Sequence, residues 1–364
     1  MKTMRVAKID AVSETRPPRR ARQNGLWWGL FFMWVASLLT ATDNGWALDK
    51  SSLNGTYVLY DLQSAFGGGP DRNGGWGVSD SSSISRAEVT FNGAGSWSGT
   101  STLYELERQI SEEQYAISGQ DQVLSNKFTV LAPAPSTDSI SGTYTVGSDG
   151  SGSITHPEGT DPIFVSADGN LFLMGKRNYD AASRYAYVNL AVAVKKGSGH
   201  SARSLNGTYV LYDLQSAFGG GPDRNGGWGV SDSSSISRAE VTFNGAGNWS
   251  GRSTLYELER QISEEQYAIS GQDQVLSNKF TVLAPAPSTD SISGTYAVSS
   301  DGSGSITHPE GTDPIFVSAD GSLFLMGKRN YDAASRYAYV NLAVGVKKTS
   351  ARQGAPWIQL LLTE

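Results

Sequence analysis

Arg86-Ala87-Glu88-Val89-Thr90-Phe91-Asn92, followed at once by Gly93, is the stretch from which the fold is read. Ala87, Val89 and Phe91 alternate strictly with Arg86, Glu88, Thr90 and Asn92. A period of two puts the apolar side chains on one face of a strand and the polar ones on the other. Asn92-Gly93 then supplies the positive φ angles that a tight hairpin needs. The same grammar recurs along the chain. Tyr115-Ala116-Ile117, Lys127-Phe128-Thr129-Val130 and Tyr185-Ala186-Tyr187-Val188-Asn189-Leu190 are strand-like and rich in aromatic or β-branched residues. Asp149-Gly150 and Asp168-Gly169 each separate two further runs of this kind. Only the stretch 103–113 offers a helical pattern, and its flanks favour strands.

An all-β fold follows, with about eight to ten strands per unit joined mostly by hairpins. No βαβ spacing occurs. Consecutive hairpins make an antiparallel meander that can close, so an up-and-down β-barrel is expected, with a sandwich as the alternative.

The unit occurs twice. Residues 53–196 recur as 205–348 at an offset of 152, and 138 of the 144 paired positions are identical. The six differences are Ser96/Asn248, Thr100/Arg252, Thr145/Ala297, Gly147/Ser299, Asn170/Ser322 and Ala193/Gly345. A period this long makes tandem domains, because solenoid units run only about 20–50 residues. The reading divides the chain into a leader (1–47), a first barrel domain (48–196), a flexible Gly/Ser-containing linker (197–204), a second barrel domain (205–348) and a tail (349–364).

The ends differ from the body. Residues 1–24 hold seven bases and two acids, a net of +5. Fifteen uncharged residues follow, from Gly25 to Leu39, and then the small-x-small step Gly45-Trp46-Ala47. A basic region, a short apolar region and a small-residue cleavage site make a signal peptide, with cleavage after Ala47. The apolar run is short for a spanning helix, which needs about 20 residues. The protein is therefore expected to be extracytoplasmic, secreted or periplasmic. The alternative is an N-terminal membrane anchor. Residues 48–364 hold 22 bases and 32 acids, a net of −10, a poor match for nucleic acid. The chain has no cysteine, so no disulfide framework, thiolate metal site or cysteine nucleophile is open to it.

Candidate binding residues lie in Phe66-Gly67-Gly68-Gly69-Pro70-Asp71-Arg72-Asn73-Gly74-Gly75-Trp76-Gly77, which reads as a long loop. Trp76 can fold over a barrel mouth and stack on a sugar or another small ligand, with Asp71 and Arg72 beside it. Trp228, Asp223 and Arg224 repeat the set. The glycine run lacks the Gly-Lys-Ser/Thr ending of a phosphate loop. His156-Pro157-Glu158-Gly159-Thr160-Asp161-Pro162 reads as an exposed turn with one imidazole and two carboxylates. Glu105 and Glu107 share one strand face, the arrangement that a glycan-acting enzyme with paired carboxylates would use. Lys176-Arg177-Asn178-Tyr179-Asp180 with Arg184-Tyr185 reads as a basic-aromatic strand end. No Gly-x-Ser-x-Gly elbow is present.

These readings converge on an exported, non-enzymatic tandem β-domain protein that acts as a binding or surface-interaction module. Catalytic residues, metal and cofactor are not assigned, and the oligomeric state is left open. The alternatives are an outer-membrane β-barrel and the glycan-acting enzyme. An outer-membrane barrel needs lipid-facing strands of about 9–11 residues. Charged residues such as Arg86, Glu105, Glu107 and Lys127 fall inside the strands here.

Overall fold

Asn92 and Gly93 turn the chain as the dipeptide requires. Gly93 has φ 72°, and Asn92 Oδ1 accepts hydrogen bonds from the Ala94 and Ser96 backbone N–H groups at 2.8 and 3.0 Å. The computed structural model of the chain describes residues 47–70, 76–117, 120–157, 159–180, 185–222, 228–269, 272–332 and 337–348. The leader and tail readings fall on residues 1–46 and 349–364, outside the described residues.

The first repeat runs β1 (Asn54–Pro70), β2 (Trp76–Asn92), β3 (Ser96–Ile117), β4 (Gln120–Leu131), β5 (Ser136–Val146), β6 (Ser151–His156), β7 (Gly159–Val165), β8 (Leu171–Asp180) and β9 (Tyr185–Lys195). The second runs β10 (Asn206–Pro222), β11 (Trp228–Asn244), β12 (Asn248–Ile269), β13 (Gln272–Leu283), β14 (Ser288–Val298), β15 (Ser303–His308), β16 (Gly311–Val317), β17 (Leu323–Asp332) and β18 (Tyr337–Lys347). β1 pairs with both β2 and β9, which closes β1-β2-β3-β5-β6-β7-β8-β9 into an eight-stranded antiparallel barrel. Closure leaves no strand edge in the circuit. β4 stands outside it, because β3 changes neighbours along its length. Its first part, Ser96–Leu103, pairs with β5, and its last part, Glu107–Ile117, pairs with β4. The second repeat closes in the same way.

Alternation then sorts the side chains. An eight-stranded barrel has an interior just wide enough for side chains to fill. In repeat 1 it holds Tyr57, Val89, Phe91, Trp97, Tyr144, Ile154, Ile163, Val165 and Phe172. Phe91 sits among three rings in edge-to-face contact, with centroids at 5.4 Å (Tyr57), 5.0 Å (Tyr144) and 5.5 Å (Phe172). That geometry matches positive ring edges to negative faces and adds about 0.5–1.5 kcal/mol per pair beyond area burial. The Tyr144 hydroxyl donates to the Lys50 and Leu53 carbonyls at 2.9 Å. This pins the 3-10 turn Lys50–Ser52, capped by Asp49, as a stopper at one end. Gly142 allows the tight wall here, since a Cβ on it would lie 1.8 Å from the Thr155 carbonyl oxygen.

The glycine-rich stretch departs from its reading as a loop. β1 extends to Pro70 and β2 begins at Trp76, with Phe66 opposite Asp80 and Gly69 opposite Gly77. Glycine is depleted in strands because it has no side chain to pack. Ladder hydrogen bonds use only the backbone, however, so an antiparallel hairpin already in register continues through it.

The linker is also fastened down. The His200 backbone N–H donates to the Ser300 carbonyl at 3.1 Å, and Ala319 N–H to the Lys195 carbonyl at 3.2 Å. Ala202–Ser204 forms the stopper of the second barrel, where Tyr296 donates to the Ala202 and Leu205 carbonyls at 2.9 and 2.8 Å. The composition of a flexible connector thus carries the same stopper that precedes the first barrel.

The outer walls decide how the repeats meet. Tyr60, Leu62, Ile84 and Leu106 of repeat 1 face away from their own barrel core. They join Phe218, Phe316, Leu325, Ala338, Val340 and Leu342 of repeat 2 in one buried cluster. β1–β4 lie against β10, β13, β17 and β18. Arg329 Nη1 crosses the junction to the Glu105 carbonyl at 2.9 Å and the Pro133 carbonyl at 2.5 Å, and its guanidinium lies over the Tyr104 ring. Ser82 and Ser216 share a hydrogen bond of 3.0 Å. A Cβ on Gly327 would lie 2.7 Å from the Tyr60 ring.

The junction is one-sided. Leu106 is 0% exposed, and its counterpart Leu258, in the same sequence context, is 58% exposed. Leu106→Ala is therefore expected to cost about 2–5 kcal/mol, the usual range for a buried leucine. Leu258→Ala should change stability by less than about 0.5 kcal/mol. Denaturant unfolding of the two variants against the parent chain measures the difference.

Candidate functional site

Following β1 from the aromatic core, Tyr57 and Leu59 lead by alternation to Asp61 on the same inward face. Asp61 Oδ2 accepts a hydrogen bond from Asn189 Nδ2 at 3.3 Å. Asn189 Oδ1 accepts from the Lys176 backbone N–H at 2.9 Å. Lys176 Nζ pairs with Asp161 Oδ1 at 2.7 Å and lies over the Tyr187 ring, 5.9 Å from its centroid. Asp161 Oδ2 lies 3.0 Å from His156 Nε2. These five polar groups form a layer across the barrel interior beside the aromatic core.

Repeat 2 rebuilds the layer. Asn341 Nδ2 donates to both oxygens of Asp213, at 3.1 and 3.3 Å. Asn341 Oδ1 accepts from the Lys328 backbone N–H at 3.0 Å. Lys328 pairs with Asp313, and His308 Nε2 lies 3.1 Å from Asp313 Oδ2.

Burial governs the electrostatics. It pushes the Asp61 and Asp213 carboxyls up to about 6, with the neighbouring charges of Asp161 and Asp313 adding to the rise and the Asn189 and Asn341 hydrogen bonds opposing it. The hydrogen bond to Asp161 raises Lys176 above the ordinary lysine value. Burial pulls Lys328 down, but the bond and charge of Asp313 outweigh it and Lys328 is also raised. Asp61 keeps some solvent access as a residue, while its Oδ1 is fully covered and has no hydrogen-bond donor. An uncompensated buried carboxylate oxygen is costly, which is why this group favours its proton.

The exposed-turn reading of residues 156–162 is corrected here. The turn itself lies beyond His156, but Asp161 is buried, on the same face as Ile163 and Val165 of the core. Pro162 faces out, as strand alternation demands. The basic-aromatic reading of 176–180 is corrected for the same reason. Lys176 points in and the adjacent Arg177 points out, so the two do not make one patch. Asp61, Asn189 and their copies went unmarked in the sequence, although the inward alternation Tyr57, Leu59, Asp61 carries the signal.

The other candidates remain apart from this layer. Asp71, Arg72, Asp223 and Arg224 lie outside the described residues. Trp76 and Trp228 open β2 and β11, opposite Pro70 and Pro222. Glu105 and Glu107 occupy the face of β3 that also carries Trp97. Partial burial, then the charge of Glu107, raises the Glu105 carboxyl. Among the described residues, no group of three His, Asp or Glu side chains could hold a metal ion. The layer offers charge compensation and one titrating carboxylate per barrel.

No family model and no curated protein sequence matches the chain. Among solved structures, similarity is found to a transferrin binding protein B variant from Haemophilus parasuis Hp5, at 7% identity, covering 81% of this chain and 76% of that one, with a TM-score of 0.24. Similarity is also found to OccK7 (OpdD) of Pseudomonas aeruginosa, at 11% identity, 80% and 97% coverage and a TM-score of 0.17. OprB of Pseudomonas putida matches at 8% identity, 88% and 96% coverage and a TM-score of 0.13. Scores this low carry no argument about this chain.

The raised carboxyls set a pH dependence. Each aspartate has an ordinary value of 3.8 and a folded value of about 6, so the folded chain binds more protons between these limits. Stability is then highest below the lower limit, falls as pH rises through the window, and is flat above it. The loss is on the order of 2–3 kcal/mol per group. Asp61→Asn with Asp213→Asn is expected to melt at a higher temperature than the parent near neutral pH, with the gap closing towards about pH 4. Calorimetry across that range checks it.

Proposed function

We propose that the chain is an exported, non-catalytic tandem of β-barrel modules acting by surface interaction, with the outer barrel wall as its working surface. The observation that carries this reading is the apolar face left open on repeat 2, where Leu258 is 58% and Tyr256 47% exposed. The same face on repeat 1 is buried at the junction. Contiguous exposed apolar residues on a folded surface mark interaction sites. The interior supports the reading from the other side, since aromatic rings and paired ions occupy it.

The wall elsewhere bears on the outer-membrane alternative. Cross-strand hydroxyl pairs line its exposed surface: Thr56–Thr90 at 2.9 Å, Thr102–Thr137 at 3.0 Å, Thr145–Ser153 at 2.8 Å and Thr155–Thr160 at 3.0 Å. A lipid-spanning barrel needs an apolar band on every strand. An apolar sector beside a hydroxyl-rich one suits protein contact in water better.

One observation favours a small ligand as a second reading. The covered, donor-free Oδ1 of Asp61 is a place where a hydroxyl of a sugar or a similar small molecule could donate.

Intact mass spectrometry of the chain recovered from outside the cytoplasm is expected to show a start at Leu48. An environment-sensitive apolar dye should bind the folded chain, and Tyr256→Ser with Leu258→Ser should remove most of that binding. A chain that keeps its leader, or a dye signal indifferent to both substitutions, overturns the proposal.

A further inference from the structure

We infer that copies of this chain join head to tail, the open face of repeat 2 in one copy docking on the open β8–β9 face of repeat 1 in the next. This rests on the surface-interaction reading and names the partner: a second copy of the chain. The junction between the repeats is the template. It joins two different surfaces of two nearly identical domains. Repeat 1 contributes Tyr60, Ile84, Tyr104 and Leu106, and repeat 2 contributes Leu325, Gly327, Arg329 and Val340.

Each repeat carries both surfaces, because none of the six differing positions falls among these residues or their counterparts. One junction uses one surface of each repeat, so the complementary pair remains at the two ends. On repeat 2, Tyr256 and Leu258 are exposed, and Tyr212 and Ile236 are half-buried where Tyr60 and Ile84 are buried. On repeat 1, Leu173, Gly175, Ala186 and Val188 are half-buried where Leu325, Gly327, Ala338 and Val340 are buried. Arg177 is exposed where Arg329 reaches across the junction.

The polar contacts transfer as well. Arg329 donates to the carbonyls of Glu105 and Pro133 and lies over Tyr104. In a second junction, Arg177 of one copy meets the carbonyls of Glu257 and Pro285 and the ring of Tyr256 in the other. Ser64 and Ser234 take the places of Ser216 and Ser82. A contact between two different surfaces does not close on itself as a two-fold dimer does. It generates a ring if the rotation closes and an open series if it does not. The second junction lacks the covalent linker, so it forms with concentration rather than at all concentrations.

The test is sedimentation velocity on the exported full chain over roughly 1–100 μM. The expected result is a concentration-dependent series of chain multiples. Leu258→Asp and Arg177→Glu change residues exposed in the single chain, so each variant should fold, as circular dichroism would confirm. Each alone should sediment as a monomer. Mixed together, they should form a one-to-one dimer and nothing larger, because each retains the surface that the other lost. A parent chain that stays monomeric over the whole range overturns the inference while leaving the dye-binding face intact for another partner. So does association that survives both substitutions. Association that appears only when the chain is cut after Lys348 also overturns it, by showing that the tail is the occupant.

Discussion

Everything in each repeat depends on β1 pairing with β9 as well as with β2. That closure removes the sheet edges and gives every strand an inside and an outside. The inside is narrow, so it admits one layer of large rings and little else. Phe91 at the centre, with Tyr57, Tyr144 and Phe172 edge-on around it, is the packing solution. The tyrosine hydroxyls would be stranded there without partners. They turn instead to carbonyls of the stopper turn and of Gly169, and so tie the entering chain to the barrel.

The polar layer follows from the same constraint. Strands that continue past the aromatic core must keep filling a closed interior, and Asp61, Asn189, Asp161, Lys176 and His156 fill it with groups that satisfy one another. Such a layer is weak evidence for stability, because the desolvation of its charges offsets much of their attraction. It holds register instead. A slip of one residue would turn Lys176 out and Arg177 in, and would break the ion pair with Asp161.

Much of this was legible in the sequence. Alternation around Ala87, Val89 and Phe91 identified inward residues, and Asn92-Gly93 located a turn that has the expected positive φ. The errors have physical causes. Glycine content made residues 66–70 read as loop, yet backbone pairing is indifferent to side chains. Two prolines made His156 to Pro162 read as an exposed turn, yet one of them occupies an outward strand position that spares its neighbour Asp161 for the core. Alternation gives two faces without saying which groups from distant strands share a layer. Asp61, Asn189 and Asp161 meet only because the barrel closes.

The sequence by itself determined the strands, most hairpins, the duplication and the inward face of each strand, because these depend on neighbours within a few residues. Only the tertiary structure decided the fate of the outward face. Leu106 and Leu258 sit in identical surroundings in the chain, and one is buried while the other faces water. Local chemistry cannot separate them. The difference arises because two like domains, joined once, can bury only one copy of each of two complementary surfaces.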